Sequence, residues 1–232
     1  MYKKPPLEIQ TTTLWEYPSQ HYGKEIQGDQ NYKGATPSYV IWNLLMRYTR
    51  EKDLVVDPMC GSGTTIDVCR DLNRRVLGYD LVPYRPDIFR ADARQLPLED
   101  GKADFVFIDP PYSTHIDYSD DPNCIGKLDA SGAAYFSAMD AVIQEIFRVM
   151  RNRRYMALYV SDSFQKKKGF VPIGFRLFSI LERYFKPVDI ISVVRYNQKL
   201  KRKRWHSEAV KGNYYLRGFN YLFIMKKVVD TN

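Results

Sequence analysis

The glycine-rich segment from Asp57 to Thr65 is the feature that most limits how this chain can fold. It follows a short apolar run at residues 53–56 and precedes residues 64–72, whose apolar spacing is helical. A strand that enters a helix through a tight glycine turn is typical of an open α/β sheet. The segment therefore predicts a sheet whose ligand site lies at this turn.

Further strands and helices alternate along the chain. We predict strands at residues 53–56, 75–79, 87–91, 105–108, 155–160, 188–195 and 221–226, and helices at 64–72, 134–150 and 174–184. Another helix is predicted to begin at Pro37 with Thr36 as its N-cap, because proline suits the first helical position. This alternation predicts an α/β domain with a mostly parallel sheet.

The composition fits one globular domain. The 232 residues, 44% of them hydrophobic, are enough for one sizeable core. Residues 1–35 are polar and rich in turns, so we expect an N-terminal arm there and a single domain at 36–232, with insertions near 113–132 and 162–217. The chain has no apolar stretch of membrane-spanning length, no secretory signal at its N-terminus and no metal-binding cysteine spacing. We expect a cytoplasmic protein that has neither a metal site nor a membrane partner.

Positive charge is concentrated in the last third of the sequence. Residues 151–227 contain 19 Lys and Arg against 4 Asp and Glu, a balance of +15. The remaining residues contain 16 against 23, a balance of −7. A basic region beside an acidic one predicts contact with a phosphate backbone, although an ordinary solvated basic surface would give the same counts.

The glycine turn differs from the common phosphate-binding loops. It lacks the lysine of a Walker-type loop, and Ile66 stands where a dinucleotide fingerprint would have its third glycine. Asp80 follows the next strand and Asp92 the one after it. A carboxylate at such a strand end can accept both hydroxyls of a ribose, so we predict that role for Asp80. Asp92 is a weaker candidate, for an adenine amino group.

The second motif, Asp109 to Tyr112, directly follows the apolar run 105–108 and reads Asp-Pro-Pro-Tyr. The two prolines end the strand and hold the backbone extended. The resulting shelf has a carboxylate at Asp109, a carbonyl at Pro110 and an aromatic ring at Tyr112. Two acceptors that take both hydrogens of an aryl amine would free its lone pair to attack a sulfonium methyl group. Tyr112 would stack on a base rotated out of its helix.

The two motifs together resemble those of the S-adenosylmethionine-dependent amino-methyltransferases of DNA, which act on adenine N6 or cytosine N4. The resemblance covers roughly residues 36–160. It implies a Rossmann-like class I methyltransferase fold, with a mostly parallel seven-stranded sheet, an antiparallel edge strand and helices on both faces. It also implies S-adenosylmethionine as the cofactor. The cofactor-binding residues implied are Thr36, Pro37, Asp57, Pro58, Cys60, Gly61, Gly63, Thr64, Thr65, Asp80 and Asp92, and the catalytic ones are Asp109, Pro110, Pro111 and Tyr112.

The chain departs from that family in having no separate target-recognition domain of the usual size. Double-stranded DNA would then be contacted by the inserted loops, where aromatic residues alternate with cations. The predicted nucleic-acid contacts are Lys166, Lys167, Lys168, Lys199, Lys201, Arg202, Lys203, Arg204 and Trp205. The resemblance also leaves a homodimer and a cognate restriction endonuclease open as partners.

Three alternatives to an adenine-specific DNA methyltransferase remain open. The first is a cytosine N4 methyltransferase of DNA. Asp109 favours adenine N6 by resemblance, because cytosine N4 enzymes more often have serine at this position. An RNA methyltransferase acting on tRNA uses similar loops on the same fold. A catalytically silent nucleic-acid-binding subunit is the third alternative, and the intact Asp109 to Tyr112 loop argues against it.

Overall fold

Strands and helices alternate along the chain in the computed structural model, which describes residues 6–17, 19–32, 34–112, 119–165, 168–196 and 198–229. The strands are β1 Leu14–Trp15, β2 Leu54–Asp57, β3 Arg75–Asp80, β4 Phe89–Arg90, β5 Ala103–Ile108, β6 Met150–Val160, β7 Ser163–Gln165, β8 Gly169–Val171, β9 Lys186–Val194 and β10 Phe219–Lys226. The helices are α1 Ser38–Tyr48, α2 Thr64–Asp71, α3 Ala133–Val149, α4 Ile173–Leu181, α5 Gln198–Lys201 and α6 Lys203–Lys211, with a 3₁₀-helix at Ile125–Lys127. The predicted strands and long helices are confirmed to within a few residues, except that β6 starts five residues early, at Met150.

Within the described residues, eight strands form the main sheet in the order β1-β9-β10-β6-β5-β2-β3-β4, and β7 and β8 form a separate hairpin. This mostly parallel sheet confirms the predicted fold class. Two details were wrong: the sheet has eight strands and not seven, and the antiparallel strand β10 is not at an edge but between β6 and β9. α4 carries the chain from β6 to β9, which lies two positions away. β10 starts at the edge where β9 ends, so it fills the open position in the antiparallel direction.

Strand β5 is the centre of the core and is buried along its whole length. Its side chains alternate between the two faces, as a strand covered on both sides requires. Phe105 and Phe107 pack with α1 and α2 on one face, whereas Val106 and Ile108 pack with α3 and α4 on the other. Helices thus cover both faces of β5. Its C-terminal end lies at the edge of the sheet, and Asp109 follows there.

The start of α1 differs from the prediction. Ser38 is the first helical residue, Pro37 takes the N-cap position and makes no side-chain cap hydrogen bond. Thr36, predicted as the N-cap, instead donates its hydroxyl to Asp109 Oδ2 over 2.6 Å. A threonine followed by proline is held in an extended conformation, and here that conformation directs its hydroxyl to a distant carboxylate instead of to the helix.

The N-terminal arm is more regular than predicted. Leu14–Trp15 forms β1, which pairs in parallel with β9 through Ser192 and Val193. Trp15 is 1% exposed, and its Nε1 donates to the carbonyl of Thr12. A tryptophan buried against the sheet anchors the arm there, so the prediction of an irregular arm was wrong at this point. The domain boundary at residue 36 stays a prediction.

No helix was predicted in the basic segment between β9 and β10, and the structure has α5 and α6 there. The polarity of this segment hid the helical pattern, because only Ala209 of α6 is buried. In the part of the chain that the structure describes, no helix has the length and apolar character needed to cross a membrane.

Candidate active site

Three carboxylates lie side by side at one edge of the sheet. Asp57, Asp80 and Asp109 are at or directly after the C-terminal ends of β2, β3 and β5, which are neighbours in the order β5-β2-β3. In open α/β sheets, ligands bind at this edge. A pocket lies there, and its walls include Met59, Asp80, Asp92, Asp109 and Pro111. The structure therefore brings the two sequence motifs together in one pocket.

Two residues of the glycine turn need a conformation that other residues avoid. Gly61 has φ +48° and Gly63 has φ +80°. A Cβ at Gly61 would lie 2.8 Å from the ring of Tyr32, and the Gly61 N–H donates to Asp80 Oδ2 over 2.9 Å. The turn is therefore held against β3, and Tyr32 leaves no room for a side chain at Gly61.

Asp57 supports the turn from inside. It is 3% exposed; its Oδ2 accepts the Thr65 hydroxyl at 2.6 Å and its Oδ1 accepts the Met59 N–H at 3.2 Å. Burial raises the pKa of Asp57 to about 7, and these hydrogen bonds oppose the rise. Asp57 and Thr65 thus shape the glycine turn by bonding to each other, while Pro58 and Met59 line the pocket.

The remaining predicted residues of the turn have structural partners. Cys60 is buried and its N–H donates to the Tyr79 carbonyl over 2.9 Å. Thr64 is buried, and its hydroxyl shares a 2.9 Å hydrogen bond with that of Ser62. These contacts fix the geometry in which α2 begins.

Asp80 lies in the pocket wall. Burial raises its pKa, and the backbone N–H groups of Gly61, Val82 and Leu81 act in the opposite direction. Each carboxylate oxygen can accept more than one hydrogen bond. Asp80 can therefore hold the turn and still accept ribose hydroxyls from the pocket side.

Asp92 also lines the pocket, but its carboxylate is already paired with Arg94. The Arg94 guanidinium donates to both carboxylate oxygens, with the shortest distance of 2.6 Å at Oδ2. Burial raises the pKa of Asp92, and the hydrogen bonds and charge of Arg94 outweigh it, so that the pKa lies below its usual value. An adenine amino group would have to share this carboxylate with Arg94.

The N-terminal arm covers the glycine turn. The Gly28 N–H donates to Asp67 Oδ2 over 2.8 Å, and the Asp29 N–H donates to the Ser62 carbonyl over 2.9 Å. Tyr32 lines the pocket beside Gly61. Its position next to the turn comes from long-range packing that no local pattern announces. The pocket is closed on the other side by Leu81, Ser119, Asn123, Cys124 and Ile125, which carry no recognisable motif either.

Asp109 is half-buried, and its carboxylate accepts a hydrogen bond from a residue just before α1. Thr36 donates its hydroxyl to Oδ2 over 2.6 Å. Burial raises the pKa of Asp109 to about 7; the Thr36 hydrogen bond and the charge of Arg195 lower it, and the charge of Asp57 raises it. Near neutral pH, Asp109 is therefore poised between a carboxylate and a carboxylic acid.

The rest of the catalytic loop is placed around this carboxylate. Pro110 is buried and Pro111 lines the pocket. Tyr112 is half-buried and packs against the core cluster on the α3 face. The shelf formed by the two prolines and the stacking role of Tyr112 stay predictions.

The predicted nucleic-acid contacts fall into separate groups. β9 ends and β10 begins at the pocket edge, so the segment that holds α5 and α6 leaves and re-enters the sheet there. Lys201, Arg202, Lys203 and Arg204 are exposed at this edge, and Trp205 is half-buried. Lys168 is instead paired with Asp129 and with the Ser131 hydroxyl. Lys166 and Lys167 lie outside the described residues, as does the side chain of Lys199.

Comparison of the sequence with protein families gives a match to the family described as DNA methylase over residues 2–90. This stretch holds the arm, the glycine turn and Asp80, and it ends before Asp109. The Type II methyltransferase M.MjaII of Methanocaldococcus jannaschii is 31% identical over 61 residues, which are 26% of this chain and 12% of that protein. The chain thus matches about an eighth of its relative's length.

Comparison with solved structures shows the fold. An S-adenosylmethionine-dependent methyltransferase from Methanosarcina mazei has a TM-score of 0.52 at 13% identity, and the match covers 81% of this chain and 98% of that one. Geranyl diphosphate C-methyltransferase from Streptomyces coelicolor, in complex with S-adenosyl-L-homocysteine, has a TM-score of 0.54 at 12% identity, with 83% and 79% covered. The chain thus matches the DNA methylase family over residues 2–90 and shares the class I fold of these S-adenosylmethionine-dependent methyltransferases.

Proposed function

We propose that this chain transfers a methyl group from S-adenosylmethionine to the N6 amino group of an adenine that has been rotated out of duplex DNA. The observation that carries the proposal is that Asp109 shares one pocket with Asp80 and with Pro58 and Met59 of the glycine turn. A carboxylate that can receive an amino group thus lies beside the place where the family binds its cofactor.

The residues around the turn fit the cofactor. Gly61 leaves no side chain between the turn and Tyr32, and Asp80 supplies carboxylate oxygens for the two ribose hydroxyls. Tyr32 and Met59 supply apolar surface in the same pocket. When it is bound, S-adenosylmethionine supplies an electrophilic methyl group on its sulfonium sulfur.

Asp109 and Pro110 do the work on the target base. The amino nitrogen of adenine is a poor nucleophile because its lone pair is delocalised into the ring. One N–H donates to the Asp109 carboxylate and the other to the Pro110 carbonyl, which moves the nitrogen towards tetrahedral geometry. The lone pair is then free to attack. Tyr112 supplies the aromatic face on which the extruded base stacks.

DNA as the substrate is supported by charge as well as by the family. The segment with the exposed cations Lys201 to Arg204 leaves and re-enters the sheet at the same edge as Asp109, and Arg195 is the first residue after β9. Cations along a groove attract the phosphate backbone without reading sequence. This arrangement suits holding a strand while one base enters the pocket.

The test is a methyl-transfer assay with tritiated S-adenosylmethionine on duplex DNA, with tRNA as the competing substrate. We expect label in DNA, and N6-methyladenine after digestion to nucleosides. N4-methylcytosine would correct the target base, and label in tRNA alone would overturn DNA as the substrate.

The matched variant is Asp109→Ala. It should abolish transfer while calorimetry shows that cofactor binding survives, because Asp109 contacts the base in this proposal. Loss of cofactor binding, or transfer that persists, would contradict the role given to Asp109. A wild-type protein that binds DNA but not the cofactor would instead favour a silent DNA-binding subunit.

A further inference from the structure

Thr36 is the residue that the predicted site did not explain. It was expected to cap α1 or bind the cofactor, yet its hydroxyl donates to Asp109 Oδ2 over 2.6 Å across 73 positions of sequence. Thr36 is 6% exposed and Asp109 is half-buried, so this hydrogen bond is only partly open to water. A hydrogen bond to an ionised group in such a place is stronger than one at the surface.

The backbone holds Thr36 in this position. Pro37, with φ −58°, follows it and restricts it to extended conformations. The branched side chain of threonine adds a restricted χ1 angle. The hydroxyl therefore has little freedom to turn away from Asp109.

The same stretch of chain contacts the cofactor turn. Asp29 donates its N–H to the Ser62 carbonyl, Tyr32 packs on the turn, and Thr36 then reaches Asp109. One short segment thus joins the turn that holds the cofactor to the carboxylate that receives the base. A residue with this connection can fix where the carboxylate lies relative to the turn.

We propose that Thr36 is a positioning residue, which holds Oδ2 of Asp109 so that Oδ1 receives the amino group of the target base. The role given to the base rests on the proposed methyl transfer. The control of the Asp109 carboxylate by Thr36 does not depend on it. Because a carboxylate has two equivalent oxygens, occupying one of them selects both the rotation of the group and the oxygen that is left for substrate.

Thr36 also affects the charge of this group. Asp57 on β2 opposes ionisation of Asp109, Arg195 after β9 favours it, and Tyr159 on β6 interacts electrostatically with it. Burial is the largest influence and raises the pKa to about 7, while the Thr36 hydrogen bond lowers it. Without that hydroxyl the pKa of Asp109 should rise further, by about one unit for a hydrogen bond to a charged group.

The experiment compares Thr36→Val, which keeps the shape and removes the hydroxyl, with Thr36→Ser, which keeps the hydroxyl. The readout is the titration of the Asp109 carboxyl carbon by NMR in protein labelled at aspartate, with the resonance assigned through Asp109→Asn. Thr36→Val should raise the pKa of Asp109 by about one unit. Thr36→Ser should leave it near the wild-type value. Thr36→Ala serves in place of Thr36→Val should the valine variant not fold.

Kinetics gives the second readout. In Thr36→Val the acid limb of the pH profile of kcat should move upward with the pKa of Asp109. At a pH where Asp109 is ionised in both proteins, kcat should still be about tenfold lower because the carboxylate is less well placed. KM for DNA should change little, and the serine variant should recover most of the loss.

Thr65→Val is the matched control. It removes a hydrogen bond of the same length, 2.6 Å, from the other buried carboxylate, Asp57. Loss of this hydrogen bond makes Asp57 harder to ionise. Because the charge of Asp57 raises the pKa of Asp109, the pKa of Asp109 should stay the same or fall. An upward shift in this variant equal to that in Thr36→Val would mean that any disturbance of the site raises the pKa, and would overturn the assignment.

The failures of the two proposals are distinguishable. An unchanged Asp109 titration in Thr36→Val overturns the role of Thr36, whatever the enzyme methylates. Absence of methyl transfer in the wild-type protein counts against the proposed function, and the NMR titration still decides whether Thr36 controls Asp109.

Discussion

Replacing Asp109 with asparagine should stabilise the protein at neutral and alkaline pH. Burial raises the pKa of this carboxyl from 3.8 to about 7 in the folded state, against the opposing effects of Thr36 and Arg195. The folded state therefore keeps a proton that the unfolded chain loses between about pH 4 and pH 7. Because the folded pKa is the higher one, the stability contributed by the protonated group is complete below about pH 4 and is lost as the pH rises to 7.

The magnitude follows from the difference between the two pKa values. Roughly three units correspond to up to about 4 kcal/mol of unfolding free energy at pH 8, and to about 2 kcal/mol at pH 5. An asparagine cannot ionise, keeps the size of the side chain and still offers an oxygen to Thr36. Asp109→Asn should therefore gain stability over the wild type, by an amount that grows from pH 4 to pH 7 and then levels off.

Urea denaturation at several pH values between 4 and 8 measures this difference. Asp120→Asn, at an exposed carboxylate, is the control, and its effect should stay within about 0.5 kcal/mol at every pH. Two results would refute the claim that ionisation of Asp109 lowers the free energy of unfolding. One is an Asp109→Asn protein that is no more stable than the wild type at pH 8, and the other is a difference in stability that does not change with pH.

The remaining predictions concern the turn, the arm and the basic segment. Gly61→Ala should weaken cofactor binding measured by calorimetry, because its Cβ would lie 2.8 Å from the Tyr32 ring; Gly218→Ala, where nothing lies within 4 Å, should not. Trp15→Ala should cost about 3–5 kcal/mol in urea denaturation, because a fully buried ring is lost. Arg204→Glu should lower the slope of log DNA affinity against log salt by about one, and an unchanged slope would place the DNA elsewhere.

Much of the fold was predictable because its signals are local. The runs around β2 and β5 are apolar and end in residues that break strands, and a strand followed by Gly61 and Gly63 can hardly continue as a strand. The positions of Asp80 and Asp109 were predictable for the same reason, since Asp80 ends β3 and Asp109 directly follows β5. In a parallel sheet, residues that follow neighbouring strands meet at one edge, which explains why local motifs located the pocket.

The features that were missed depend on contacts between distant residues. Thr36 has good capping chemistry, but the carboxylate 73 positions away holds its hydroxyl. Lys168 belongs to a basic run, yet it pairs with Asp129, 39 positions earlier. Trp15 forms a strand only because β9 offers an unpaired edge beside it. In each case the local pattern did not show the partner of the residue.

The three carboxylates of the site together predict how cofactor binding depends on protons. Burial raises the pKa of Asp57 and Asp109 to about 7 and raises that of Asp80. S-adenosylmethionine carries a positive sulfonium, whereas S-adenosylhomocysteine has a neutral sulfur in the same place. A nearby positive charge favours the ionised carboxylates, so the first ligand should release more protons than the second near pH 7.

Calorimetry of both ligands in two buffers with different ionisation enthalpies measures the protons released. The affinity of S-adenosylmethionine relative to S-adenosylhomocysteine should also rise as the pH increases from 6 to 8. In Asp109→Asn, one source of these protons is removed, so the difference in proton release between the ligands should shrink. Equal release by both ligands in the wild type would mean that the sulfonium does not interact with these carboxylates, and the electrostatic link between the cofactor turn and the catalytic loop would then be wrong.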